Sequence, residues 1–190
     1  MLTNQVAAKM MRRGAVAFLL LALSSAASVV AQTHTEWIRY DSKEGRYAVM
    51  LPAQPTVGSQ EAETADGIKF TQYKAGVVNA DVAYMIGYFD YAGEMTFTFD
   101  KARDGMVAGV NGSLVRERSI KLDSYLGREL RINARDETGI EYDMRARIFD
   151  IGRRIYVLQF IAPKSIDVGV ADIKAAKYFD SFQVVRSAQN

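Results

Sequence analysis

The sequence predicts an α+β domain, an antiparallel sheet with helices packed on it. Three observations predict it. The strand-like segments come in hairpins separated by turn residues, two helical stretches are inserted among them, and the regular βαβαβ alternation of a nucleotide-binding fold is missing. The chain has 190 residues, 49% of them hydrophobic, with 24 Lys+Arg against 22 Asp+Glu, one His and no Cys. That hydrophobicity and near-balanced charge exclude a disordered chain. The missing cysteines exclude a disulfide scaffold, a Cys/His zinc site and a lipidated N-terminal cysteine. A net charge of +2 is too small to point to nucleic acid.

Residues 1–31 read as a secretory signal peptide. Lys9, Arg12 and Arg13 make a basic n-region, Ala15 to Leu23 the apolar core, and Ser24 to Ser28 a small-residue stretch before Val29-Val30-Ala31. Val and Ala at −3 and −1 place the cut between Ala31 and Gln32. Met10 and Met11 are alternative starts. An uncleaved anchor over 14–31 is the competing reading; its three serines weaken it, because a spanning helix needs about 20 predominantly apolar residues. The Arg12-Arg13 pair lacks the flanking pattern of a twin-arginine signal. Cleavage leaves 159 residues with 21 basic and 22 acidic groups, so much of the basic character belongs to the discarded segment. A chain of that length forms one domain with one real core. The expected division is a signal peptide at 1–31, a flexible lead at 32–36 and a single domain at 37–187.

Within that domain, Trp37 to Tyr40 predicts a first strand, Ser42-Lys43-Glu44-Gly45 a turn, and Tyr47 to Leu51 a second strand ended by Pro52 and kept from re-entering a sheet by Pro55. Residues 59–65 and 68–75 flank Asp66-Gly67, a two-residue hairpin signal. Asp81 to Tyr91 is apolar on both faces, which predicts a central strand covered on both sides. Thr98 or Asp100 caps a helix whose apolar positions are Phe99, Ala102, Met106, Val107 and Val110, with Asn111-Gly112 as its stop. Gly105 and Gly109 read as close packing of that helix on a sheet. Strands follow at Ser113–Leu122, Gly127–Arg135, Ile140–Ile151 and Arg154–Ala162. The middle two have a clear period of two: Leu130, Ile132, Ala134, Ile140, Tyr142, Met144, Ala146 and Ile148 face inward. Facing the other way are Glu129, Arg131, Asn133, Arg135, Glu141, Asp143, Arg145 and Arg147. A helix over Val168 to Asp180, with Ile173, Ala176 and Phe179 on one side, leads to a short final strand at 181–185.

Catalytic chemistry is narrowed by what the sequence lacks. His34, the one histidine, falls in the flexible lead, where no general base can be held at a fixed distance. Ser-His-Asp, Cys-His and multi-histidine metal machinery are therefore excluded. No phosphate-loop or nucleophile-elbow motif occurs. Asp136, Glu137, Glu141 and Asp143 cluster at one hairpin turn. They offer a hard-cation site or an acid/base pair, but an exposed turn whose acids neighbour Arg135, Arg145 and Arg147 is the favoured reading. Nine arginines lie between 116 and 154 among eight acids. Arginine pairs bidentately with carboxylate or phosphate, so Arg131, Arg135, Arg145 and Arg147 form a candidate partner-binding face. A salt-bridged, solvated sheet face is the stronger reading of the same pattern. Tyr84, Tyr88, Phe89 and Tyr91 could line a pocket, but aromatic packing is the default for so apolar a strand.

The order of segments carries a resemblance. Arg46-Tyr47-Ala48-Val49-Met50-Leu51-Pro52-Ala53-Gln54-Pro55 comes first, then a mid-chain helix, then Ile120-Lys121-Leu122-Asp123-Ser124-Tyr125-Leu126-Gly127-Arg128-Glu129-Leu130. Arg154-Ile155-Tyr156-Val157-Leu158 and the terminal Tyr178-Phe179-Asp180-Ser181-Phe182 follow. This resembles the small secreted bacterial domains related to PsbP, the extrinsic protein of the oxygen-evolving complex, over nearly all of 37–185. Ser124 and Leu126 depart from the pattern, where Gly and Pro are common. The resemblance implies an α-β-α sandwich with a central antiparallel sheet flanked by helices, and no catalytic residues. The functional expectation is an exported, periplasmic or secreted, non-enzymatic binding or accessory module. It needs no cofactor and docks to an envelope protein or small ligand through a sheet face or the hairpin at 135–141. No nucleic acid and no stable membrane insertion after cleavage are expected. The rivals are a carboxylate-dependent hydrolase of envelope glycans and a form tethered by residues 14–31.

Overall fold

Two apolar clusters on opposite faces of one large sheet organise the molecule, and alternation along its central strands feeds both. The computed structural model describes residues 36–185 apart from 65, 66, 92, 94 and 95. The proposed signal peptide with its cleavage site, the uncleaved-anchor alternative, nearly all of the lead with His34, and the domain end at 187 lie outside the described residues.

In chain order the elements are β1 (Ile38–Ser42), β2 (Tyr47–Leu51), β3 (Thr56–Glu63), β4 (Lys69–Asn79), β5 (Val82–Asp90), α1 (Phe99–Gly109), β6 (Ser113–Leu122), β7 (Tyr125–Arg135), β8 (Glu141–Ile151), β9 (Arg154–Pro163), α2 (Val168–Phe179) and β10 (Gln183–Val184). Seven strands form an antiparallel sheet in the order β3-β4-β5-β9-β8-β7-β6, and a small sheet has the order β1-β2-β10. β5 and β9 sit near the middle, where Tyr84, Ile86, Leu158 and Phe160 point into one cluster and Phe89, Ile155 and Val157 into the other. The prediction that residues 81–91 form a strand covered on both sides is thus met over Val82–Asp90, with Asp81 in the preceding turn and Tyr91 beyond the strand's end. That turn, Ala80-Asp81, has φ of 47° and 66° and joins Asn79 to Val82 directly.

One face of the large sheet is covered by α1 through Ala102, Met106 and Val110. Thr98 caps the helix, its hydroxyl accepting from Lys101 N, and Gly105 is buried as close packing requires. The opposite face is covered jointly by α2 and by Tyr47, Val49 and Leu51 of β2. The sandwich expected from the resemblance is therefore corrected: the second outer layer is a helix plus a three-stranded sheet. The reason is non-local pairing, since β10 returns from α2 to place Gln183 opposite Ala48.

The expected two-residue turn at Asp66-Gly67 includes Asp66, which with Ala65 lies outside the described residues; beside it Thr64 N donates to Ile68 O and Gly67 N to Thr64 O, with Gly67 at φ 83°. One further expectation changes. In α2 the packed stripe is Ala171, Ala175, Tyr178 and Phe179, while Ala176 is exposed and Ile173 is 72% exposed. Small residues let the helix lie close to the sheet, and the Tyr178 hydroxyl donates to Met85 O across the gap at 2.6 Å.

Candidate functional site

The period-two pattern places Arg131, Asp143, Arg145 and Arg147 on the face that α2 covers, and the helix decides what each can do. Arg131 and Arg145 are direct cross-strand neighbours, a like-charge pair that costs stability unless neutralised. Asp143, buried between them, resolves it. Arg131 Nε and Nη2 donate to its two oxygens at 2.8 and 3.0 Å, and Arg145 Nε donates to Oδ2 at 2.9 Å. The carboxylate in turn holds the Arg131 pKa above its ordinary value, against burial. Arg145 Nη2 also lies 2.6 Å from Asp172 on α2. Arg147 donates to Glu129 and to Asp180, both at 2.8 Å, and stacks over Phe179 at 4.9 Å. Arg145 and Arg147, with side chains 14% and 20% exposed, therefore clamp α2 to the sheet. Arg131 and Arg135 remain at the solvent edge.

At the β7–β8 turn Asp136 and Glu141 are occupied, whereas Glu137 is exposed. Asp136 Oδ1 accepts from Thr138 N, Thr138 Oγ1 and Ile140 N, and its Oδ2 from the Tyr142 hydroxyl. Desolvation opposes ionisation there, but these hydrogen bonds together hold the carboxyl below its ordinary range. Glu141 is held down by the Arg135 hydrogen bond and by Lys164. A general acid needs the opposite shift. Asp143 is buried rather than part of an exposed turn. It pairs with Arg131 and Arg145, and Arg147 turns away to Glu129. The aromatic residues Tyr84, Tyr88 and Phe89 are core, and Tyr91 is half-buried with its hydroxyl on Asp150.

A cleft opens beside this hairpin where α2 begins. It measures about 160 Å³ and is lined by Arg131, Asn133, Asp143, Ala162 and Pro163 from the sheet, by Lys164 and Ile166 from the β9–α2 connection, and by Val168 and Ala171 from α2. Lys164 N donates to Glu141 O, fastening that connection to the hairpin. Val168, Val170 and Ile140 stand at this end with 59%, 44% and 50% exposure. The sequence reading picked out Arg131 and Arg135 here but missed Asn133, Lys164, Ile166 and Val168. The available signal was the five-residue link from Pro163 to the Asp167 cap of α2, which carries both a cation and an apolar residue.

These features define a sheet-dominated α+β domain with a central antiparallel sheet and a cleft at one end. No protein-family model matches the chain, and no curated protein matches it. Among solved structures it is similar to cyanobacterial PsbP from Synechocystis, with a TM-score of 0.55 at 11% identity over 83% of this chain and 98% of that one. The fold is PsbP-like. A Pseudomonas aeruginosa protein of unknown function (12% identity, 80% of this chain and 99% of that one, TM-score 0.43) and a Bacteroides thetaiotaomicron protein (14%, 80% and 49%, 0.44) also overlap it. Among the described residues no helix is long and apolar enough to cross a membrane.

Proposed function

We propose that this chain is an exported, non-enzymatic binding or accessory module that docks an envelope protein through the end of the sheet formed by the β7–β8 hairpin and the start of α2. The observation that carries the reading is the cleft of about 160 Å³ with exposed Val168, Val170 and Ile140 at the same end. Small-molecule pockets are typically roughly 300–1,000 Å³, so the cleft suits one group of a larger partner better than a whole metabolite. The hairpin supports the role because Asp136 fixes its turn before any partner arrives, which lowers the ordering cost of association. A catalytic role for Glu141 and Asp143 is disfavoured by their pairing with Arg135 and Lys164 and with Arg131 and Arg145. Export rests on the pattern of residues 1–31.

The test is affinity capture from the protein's own envelope fraction, with the mature chain and its Ile140→Asp variant as baits. A partner recovered by the first and lost with the second is the expected result. A partner retained equally by both would overturn docking at this end. A defined turnover activity without any partner would favour the hydrolase reading, and mass spectrometry of the mature N-terminus decides between cleavage after Ala31 and tethering.

A further inference from the structure

We infer that the cleft beside α2 takes the C-terminal residue of a partner polypeptide: a free α-carboxylate with a small branched apolar side chain. This rests on the docking reading above and names its chemistry.

The hydrogen-bonding groups of the lining point one way. Its one carboxylate, Asp143, is already engaged by Arg131 and Arg145. Three donor groups remain. Arg131 commits Nε and Nη2 to Asp143 and leaves Nη1 without a partner among the described residues. The Asn133 side-chain amide, half-buried, has no hydrogen bond to a described residue. Lys164 Nζ has only a long contact, 3.5 Å, to Glu141, whose other oxygen is held by Arg135. The lining thus carries two cations against one saturated carboxylate. The complementary ligand group is an anion with two acceptor oxygens, the geometry in which arginine is most selective. The acid of the nearby N-cap, Asp167, is likewise engaged, on Val170 N.

The rest of the lining, Ala162, Pro163, Ile166, Val168 and Ala171, has apolar side chains. A cavity of about 150 Å³ holds a benzene-sized group of six heavy atoms. At about 160 Å³ this cleft fits a carboxylate plus a three- or four-carbon body. So few atoms bind weakly alone. Exposed Val170 and Ile140 supply apolar surface at the same end, beyond the lining, where the preceding residues of a polypeptide would lie. Capture of a terminal carboxylate in this way is a recognised mode of peptide docking.

The experiment is an NMR titration of the isotope-labelled chain from Gln32 onward, which contains both cores, with acetyl-Gly-Gly-Val, its C-terminal amide and isobutyrate. The free acid should shift the amide signals of Asn133, Lys164, Ile166 and Val168 and bind at least tenfold tighter than the amide form. Isobutyrate should shift the same signals at several-fold higher concentration. Val168→Asp places an acid in the first turn of α2, where it favours the helix; it should leave the melting temperature unchanged and weaken the acid peptide at least tenfold. Equal binding of acid and amide, or shifts mapped elsewhere, would overturn the inference, and isobutyrate binding as tightly as the peptide would overturn the commitment to a polypeptide. If the titration fails while Ile140→Asp still abolishes capture of a partner, the terminal-carboxylate inference falls and the docking reading stands. If Ile140→Asp also has no effect, both fall.

Discussion

Arg154 and Asp90 give a test of how a buried cation is held, because removing either partner has unequal consequences. The Arg154 side chain is 9% exposed and that of Asp90 58%. Arg154 Nε and Nη2 donate to the two Asp90 oxygens at 2.6 Å, Nη1 donates to Glu44 O at 2.8 Å, and the guanidinium lies over the Tyr88 ring at 4.6 Å. Asp90→Asn leaves the cation buried without its counter-charge. Fully buried charge-assisted hydrogen bonds contribute roughly 1.5–3 kcal/mol each, but solvent reaches more than half of Asp90 and replaces part of that. The expected cost is about 2 kcal/mol, or roughly 4–8 °C in Tm for a domain of this size. Arg154→Met removes the cation, keeps an apolar stem and strands only an accessible carboxylate, so it should cost about 1 kcal/mol. The assay is urea unfolding followed by circular dichroism and by Trp37 fluorescence, at pH 7 and pH 3. The Arg154 hydrogen bond holds the Asp90 pKa below its ordinary value, against burial. A depressed folded-state pKa contributes stability that is present above the unfolded pKa and lost as pH falls through the folded one. The gap between wild type and Asp90→Asn should therefore be constant above about pH 5 and shrink below about pH 4. If Arg154→Met is the costlier change, or the gap is the same at both pH values, the account is wrong.

Three other outcomes follow from single contacts. Gln159 is buried and its Nε2 has no hydrogen-bond partner among the described residues; Gln159→Met should be neutral or raise stability by up to about 1 kcal/mol in urea titrations, and a loss larger than that would show that the amide is satisfied in solution. A Cβ on Gly127 would stand 2.5 Å from Phe149 Cδ1 and 2.6 Å from Ile148 O. Gly127→Ala should then lower stability by about 2–3 kcal/mol with an unchanged m-value, and a loss under about 0.5 kcal/mol refutes the clash. Asp136→Ala should abolish slow amide hydrogen exchange at Thr138 and Ile140 while leaving β9 protected. Because the Asp136 pKa is lowered, acidifying the wild type through its folded value should reproduce that loss, and protection persisting at pH 2 would contradict it.

Local pattern was legible in the sequence, and non-local assembly was not. β8 was readable because one face, Met144, Ala146 and Ile148, joins one core while Phe149 and Ile151 on the other face join the second. The Gly152-Arg153 turn was readable because both residues take positive φ, 57° and 72°, which suits a two-residue hairpin. Of the side of α2 read from the sequence, Ile173, Ala176 and Phe179, only Phe179 is packed, because the distance between helix and sheet governs the packing. A helix held close enough for Tyr178 to reach Met85 O fits alanines beneath it, and Ile173 is left outside. The attachment of β10 to the β1–β2 hairpin had no local signal, since its pairing joins residues more than 130 positions apart.

The same division explains the site. Alternation placed Arg131, Arg145 and Arg147 on one face, but charge pattern alone could not separate clamps from a binding edge, because that depends on where α2 stops covering the sheet. Asp172 and Asp180, on α2 and at its C-terminal cap, reach Arg145 and Arg147 and fix the helix over β8. The helix begins at Val168, and at that end Arg131 and Asn133 border the cleft, with no hydrogen bond to an acid of α2 among the described residues. The cleft is thus a boundary effect of docking α2 by two ion pairs. Moving the start of α2 by one turn toward the N-terminus would close it without altering a single residue of the sheet.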